Sequence, residues 1–494
     1  LIREVDLVIV GAGFGGSLMA MVAHQLGLSV LLLEQGQHPR VVIGESTTPL
    51  SNLLLERLSA TYHLPRIAPL AKWGSWQGAY PEVACGLKRG FSFFHGNADP
   101  LLVAASPHDA IADTHWYRAD VDHFLVKEAQ ALGIEYHDRV SLETLDFTET
   151  AVNLVGHSGK GPIQVHAKFL VDATGPRGFL HRTLRLEEAP LPGLPATESL
   201  YSHFTGVHRT ESAGTAPPFP EDDAAVHHLF PGGWVWVLRF NNGVTSAGVA
   251  ATQAVARELA LEEGEPAWHR LLGRLPTLRA QFEHATPCQP FRYLPAISFR
   301  SRTIAGKRWA LLPSAAGFVD PLLSTGFSLN LLGIEHLARI LKDSSDLEEY
   351  VQETETNLLA ASRMIGALYA AMDDIAAFTA ISFLYFAAVS FAETAYRLDK
   401  PELAPGFLMN RHPQFGPAIR TLLERPCTLE EVRRAIEPFN VGSFGDPYRG
   451  NRYPVLAEDL LNARFKLGAT QQEIIALLEA SGFYALSQPR TNLA

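Results

Sequence analysis

An α/β fold built around a dinucleotide-binding Rossmann unit is what three observations predict. A strand, glycine turn, helix and strand open the chain; an apolar strand and helix return after residue 300; and the stretch between alternates like an antiparallel sheet. In order, Val5–Val10 is an apolar strand, Gly11-x-Gly13-x-x-Gly16 a turn, Ser17–Gly27 a helix and Leu28–Glu34 a second strand, together one βαβ unit. Val121–Gly133 and Ile134–Tyr136 read as a further helix and strand, and Phe169–Asp172 as an apolar strand entering the turn Thr174–Gly178. From about residue 190 to 290 the pattern changes, and His227–Ala250 (HHLFPGGWVWVLRFNNGVTSAGVA) reads as antiparallel strands joined by Gly/Asn turns. Arg308–Pro313 is again an apolar strand, a helix begins near Phe327, and beyond residue 345 the sequence is largely helical. The expected organisation is a discontinuous cofactor domain (1–189 and 291–345), an inserted antiparallel substrate sheet (190–290) and a mainly helical C-terminal region (346–494).

With 47% hydrophobic and 19% charged residues, the 494-residue chain can bury a large core. Its formal net charge of −11 works against nucleic acid as a partner, because phosphate binding needs clustered Lys and Arg that do not occur here. Cys85, Cys288 and Cys427 lie far apart without the spacing of a zinc site or disulfide framework, so no metal is expected and a reducing, cytoplasmic setting is. A strand begins almost at the first residue, and no export signal is expected. Ile375–Ala392 is uncharged and approaches the length of a bilayer span, yet Thr379, Ser382, Tyr385 and Ser390 interrupt it and no Lys/Arg asymmetry orients it. The expectation is a buried helix whose aromatics line a substrate chamber, and no membrane partner.

Gly11, Gly13 and Gly16 permit a tight turn and close approach of the backbone to a pyrophosphate, while Glu34, ending the next strand, suits a ribose hydroxyl. This much points to FAD or another dinucleotide and says nothing about the reaction. No second such fingerprint occurs. Reducing equivalents therefore come either from NAD(P)H docking without a Rossmann unit or as reduced flavin from a separate reductase.

Four further motifs carry a resemblance to the flavin-dependent halogenases. Gly44-Glu45-Ser46-Thr47-Thr48-Pro49 resembles that family's GEST-x-P stretch, which lies along the isoalloxazine ring; read alone it is a polar loop capping Leu50–Leu58. Phe318–Gly326 (FVDPLLSTG) resembles F-x-x-P-x-x-S-x-G, which sets backbone amides against flavin and halide. Consecutive amides entering a helix form an anion-binding concavity, so Ser324, Thr325 and Gly326 are the expected halide site. Trp234-Val235-Trp236 resembles the W-x-W-x-I-P signature, with Leu238 and Arg239 in place of Ile and Pro, and serves as a family marker only. Lys88–Gly96 (KRGFSFFHG) fits the K-x-G-x-x-F-x-x-G pattern around the active-site lysine of phenol-type members, making Lys88 the expected catalytic residue. Without that motif, Lys88 beside Arg89 reads as a solvated surface residue.

The resemblance spans residues 5 to about 340, is strongest to members acting on phloroglucinol, and is fainter through the helical C-terminal part. It implies the FAD-binding fold of the flavin monooxygenase superfamily, with FAD held by Gly11, Gly13, Gly16, Glu34, Arg40, Gly44, Glu45, Ser46, Thr47, Arg118, Val140, Asp320 and Gly326. It further implies that FADH2 from a separate flavin reductase reacts with O2 and chloride or bromide to give hypohalous acid. That acid passes through an internal tunnel to Lys88 and halogenates a small, electron-rich phenol. An ammonium on a flexible stem, whose pKa falls on burial, suits capture or hydrogen bonding of the acid. Leu323 stands where tryptophan halogenases carry a glutamate, which disfavours indole, because a phenol's own oxygen stabilises the attacked ring. Pro313-Ser314 replaces the usual Gly-Asp, leaving part of the ribityl contact to Asp320. An aromatic hydroxylase is the alternative that Leu238 and Arg239 keep open, and a non-catalytic flavin-binding or membrane-associated protein is the third.

Overall fold

The computed structural model describes residues 2–210, 218–343 and 345–484. β1 (Ile2–Val10) runs into the glycine turn, α1 (Phe14–Gln25) crosses over, and β2 (Val30–Leu33) returns parallel to β1 with Leu7–Val10 opposite Val30–Leu33. These strands are continuous apolar runs rather than alternating ones because both of their faces are buried: Leu7–Ile9 and Leu31–Leu33 expose no surface. After α2 (Pro49–Thr61) come four short strands: β3 (Cys85–Lys88), β4 (Gly90–His95), β5 (Leu101–Ala104) and β6 (Asp113–Trp116). α3 (Arg118–Ala131), β7 (Glu135–His137), the hairpin β8 (Ser141–Phe147) and β9 (Val152–Ser158), and β10 (Gly161–Asp172) follow.

The central path of the first sheet runs β10, β1, β2, β7, all parallel, and continues beyond β10 to the late strand Trp309–Leu311. β2 leaves β1 on one side and β10 lies on the other. The C-terminal end of β1, where the glycines sit, is therefore a topological switch point, the place where open α/β sheets part to admit a ligand.

Residues 190–290 supply the centre of the second sheet: β11 (Thr197–Thr205), β12 (Ala225–Phe230), β13 (Gly233–Arg239) and β14 (Val244–Thr252), in the order β11, β14, β13, β12. The sheet is larger and less uniform than the alternating stretch suggests. β4 and β5 extend it from the N-terminal part, and β4 pairs parallel with β12. Composition cannot reveal this, because those strands are too short to announce which sheet they join. β3 and β6 pair separately as an antiparallel ribbon, with Lys88 opposite Asp113, so Lys88 sits at the joint where the chain passes from that ribbon into the second sheet.

The C-terminal region is helical, led by α4 (Thr325–Asp343), α5 (Glu348–Ala370) and α6 (Ile375–Arg397). α6 is the chain's long apolar segment, and 72% of its most apolar stretch is buried inside the fold, as a core helix requires. The Asp374 side chain accepts from the amides of Ala376 and Ala377 and so caps its N-terminus.

Candidate active site

The nucleotide end is built mostly from backbone. Gly11 has φ +101°, and a Cβ there would lie 2.6 Å from the Ala173 carbonyl oxygen; a Cβ on Gly16 would lie 1.8 Å from that of Gly11. Neither contact is possible, so only glycine keeps the turn closed. Gly13 caps α1 without a side-chain hydrogen bond, leaving the first amides of the helix for an anion. Two guanidiniums flank it, Arg118 at 3.4 Å and Arg40 at 3.6 Å from the Gly13 Cβ direction.

Glu34 is buried and accepts from the amides of Ala12 (2.9 Å) and Gly36 (2.8 Å) and from Arg40 (3.2 Å). Those donors, Arg40 foremost, hold its carboxyl below the usual range against the opposing effect of burial. Arg118 makes paired bonds of 2.8 Å to Asp122 and reaches the Gly44 carbonyl at 2.9 Å, tying α3 to the GEST-like loop. Asp122 was not singled out from sequence; its i,i+4 spacing from Arg118 is the signal that could have found it. The amide of Val140 donates to the Glu34 carbonyl at 2.9 Å, so only its carbonyl and side chain are left for a ligand.

The GEST-like loop runs between this cradle and Lys88. Gly44 has φ +90°, Glu45 lies 2.7 Å from His203 through Oε1 and Nε2, and Thr47 clamps Thr114 through both its amide and its hydroxyl. Thr48 caps α2 in a capping box with Ser51. Ser46 differs from its neighbours, since its hydroxyl is buried without a partner. Such a group needs an external acceptor or donor. The glycine cradle, the uncapped helix and this orphaned hydroxyl, joined through Arg118, which stands beside Gly13 and bonds the Gly44 carbonyl, fit a dinucleotide with a ring system beyond it.

Lys88 is fully buried, which rules out a solvated surface lysine. Its Nζ donates to the Thr47 carbonyl at 2.5 Å and faces the Phe91 ring, 4.1 Å from its centroid. Burial pulls the lysine pKa down, and the Asp113 charge across the ribbon opposes that fall. Asp113 is equally enclosed; burial raises its pKa against the pull of Lys88. Asn52 donates to Asp113 Oδ1 at 2.7 Å, and Oδ2 has no partner. Two histidines nearby, His115 and His227, are pushed down to about 3, chiefly by burial and then by Lys88, so both are neutral. Asp113 and Asn52 escaped the sequence reading because a lone acid opening a four-residue strand carries no pattern.

The segment resembling the halide motif enters α4 through two consecutive left-handed residues, Leu323 (φ 66°) and Ser324 (φ 54°). The Ser324 amide is committed to the Pro321 carbonyl at 3.1 Å, so of the three expected halide donors the backbone leaves Thr325 and Gly326, whose amides begin a helix and lack intrahelical acceptors. A Cβ on Gly326 would meet nothing within 4 Å. Asp320, the residue expected at the ribityl chain, already has a partner on each carboxyl oxygen. It is buried, with Oδ1 taken by the Leu322 amide (2.9 Å) and Oδ2 by the Tyr369 hydroxyl (2.9 Å). Trp234 in turn donates to the Tyr369 hydroxyl at 3.2 Å. Trp234 and Trp236 share one face of β13, their ring centroids 5.8 Å apart, in the core as alternation on a strand requires.

Phe91 also borders a cavity of about 110 Å³. Phe91, Tyr385, Phe386 and Phe444 give it aromatic walls, with Thr48 and Glu393 among its polar groups. It has the size and lining for one small ring, and α6 supplies three of those six side chains.

Residues 111–376 match the tryptophan halogenase family. Tetracycline 7-halogenase of Kitasatospora aureofaciens is 31% identical over 384 residues, which is 72% of this chain and 68% of that one. Monodechloroaminopyrrolnitrin halogenase PrnC of Pseudomonas fluorescens is 28% identical over 378 residues, 72% of this chain and 65% of that one. Among solved structures, a variant of halogenase PltM in complex with FAD superposes with a TM-score of 0.79 at 26% identity, covering 92% of this chain and 100% of that one.

Proposed function

This chain belongs to the flavin-dependent halogenase family, which uses FAD and a halide, and on that premise we propose that it halogenates a free, electron-rich phenol with hypohalous acid handed over by Lys88. The observation that carries the reading is the placement of Lys88: buried, bonded to the GEST-like loop on one side and facing, on the other, the aromatic ring that borders the cavity.

Gly11, Gly13 and Gly16 with the N-terminus of α1 would hold the FAD pyrophosphate, Arg40 and Arg118 would offset its charge, Glu34 the ribose, and Gly44, Glu45, Ser46 and Thr47 the flavin side. Bound as FADH2 from a separate reductase, the cofactor supplies the two electrons that turn O2 and chloride or bromide into hypohalous acid and water. Thr325 and Gly326 would hold the halide through their amides. Lys88 donates one hydrogen bond to the Thr47 carbonyl, leaving its other N–H groups to bind and polarise the acid, and the Asp113 charge opposite favours the ammonium form against the effect of burial. No carboxylate stands at Leu323, so the ring must stabilise its own developing charge, as a phenol does.

The test is reconstitution with FAD, an independent flavin reductase, NADH, bromide or chloride, and a panel of resorcinols and phloroglucinols. Products carrying a halogen isotope pattern are expected. A hydroxylated product formed equally in halide-free buffer, or no modified product across the panel, would overturn the reading.

A further inference from the structure

Leu323 and Ser324 adopt left-handed backbone side by side although neither is glycine. Each is held against its own preference, so the surroundings must over-determine the segment. The groups that do so come from outside it. Tyr385 of α6 donates its hydroxyl to the Leu323 carbonyl at 2.8 Å. Tyr369 of α5 donates to Asp320 Oδ2, and the other oxygen of Asp320 holds the Leu322 amide. Trp234 of β13 stands behind Tyr369 as the donor to its hydroxyl.

Two helices and a strand from separate parts of the chain thus grip the residues that turn the amides of Thr325 and Gly326 into position. We propose that Tyr369 and Tyr385 are halide-positioning residues: their hydroxyls keep the Asp320–Ser324 turn in the shape that lets those two amides share an anion. The inference rests on reading that loop as the halide site. Burial pushes the Asp320 pKa up to about 7, and the Leu322 amide, the Tyr369 hydroxyl and the Trp234 indole, all neutral donors, oppose that rise; Tyr369 therefore acts on the turn through its geometry and not by neutralising Asp320. Tyr385 also lines the aromatic cavity and so links the phenol's chamber to the halide loop.

Chloride binding to the FAD-loaded protein, followed by NMR line broadening of the chloride signal, tests this together with the bromide KM measured with resorcinol. Tyr369→Phe keeps the ring and removes only the hydroxyl. It should weaken chloride binding and raise bromide KM about three- to tenfold, with kcat at saturating bromide and the resorcinol KM within about twofold, the scale of a noise-level interaction change. Tyr385→Phe should do the same and also move the resorcinol KM. Gly326→Ala separates the premise from the inference. Halide affinity weakened by Gly326→Ala but untouched by both tyrosine changes overturns the positioning role while sparing the halide site. Halide affinity untouched by all three overturns both. Should Tyr369→Phe fail to fold, Trp234→Phe, which removes the donor behind Tyr369 together with part of a buried ring, is expected to shift halide affinity in the same direction by about twofold, and no shift counts against the proposal.

Discussion

The two ends of the candidate active site are built on opposite plans. At the nucleotide end, the switch point of the first sheet, the site is chiefly backbone: a glycine turn closed because no Cβ intrudes and a helix N-terminus left uncapped. At the Lys88 end it is side chains, and they converge from α2, the β3/β6 ribbon, β13, α5 and α6. A backbone site tolerates little substitution at its glycines, whereas a side-chain site can be taken apart group by group without loss of the fold. That difference is what substitution should expose.

The largest effect is expected at the backbone end. Gly16→Ala places a methyl 1.8 Å from the Gly11 carbonyl oxygen, so β1 and α1 must separate. Stability should fall by about 3 kcal/mol or more and FAD binding should vanish, as measured by urea unfolding and flavin titration. A variant that still binds FAD normally would dissolve the contrast between the two ends.

Next comes Lys88→Met, which fills the same buried space without the ammonium. Halogenation should drop at least roughly a hundredfold while FAD affinity stays within about twofold, inside the range of an indirect contact. Loss of FAD binding along with activity would mean that the lysine belongs to the cofactor site instead.

Asp113→Asn probes charge alone. Removing the carboxylate removes the attraction that keeps the Lys88 ammonium protonated, and burial then acts unopposed. A base whose charged form loses support gives up its proton at lower pH. The alkaline limb of the halogenation rate should therefore move towards acid by about one pH unit; an unmoved limb would remove Asp113 from the lysine's electrostatics.

The smallest effect is Ser46→Ala. Deleting a buried hydroxyl that has no partner should leave the melting temperature of the FAD-free protein unchanged or slightly higher. FAD affinity should nevertheless weaken about three- to tenfold if the hydroxyl serves the flavin. Unchanged affinity would leave Ser46 with no role at either end.

What was readable in the sequence follows the same division. Gly11, Gly13, Gly16 and Glu34 declared a dinucleotide site because a turn, a helix start and a strand end are local, and thirty contiguous residues contain them all. Lys88, the GEST-like loop and the Ser324–Gly326 segment could be named through resemblance, yet local pattern gave Lys88 no more claim to chemistry than a surface residue. Its burial arises from β6 and the second sheet closing around it, which depends on pairings between strands of four to six residues that no periodicity predicts.

By itself, then, the sequence determined the βαβ cradle, the apolar α6 and the glycines that no other residue can replace, because each depends on neighbours close along the chain. Only the tertiary structure decided that Asp113 lies opposite Lys88, that Asp320 accepts from Tyr369, and that Tyr385 reaches from the cavity to the Leu323 carbonyl. Those contacts join residues 25, 49 and 62 positions apart, and a hydrogen bond or charge pair across such a span exists only once sheet pairing and helix packing have brought its partners together.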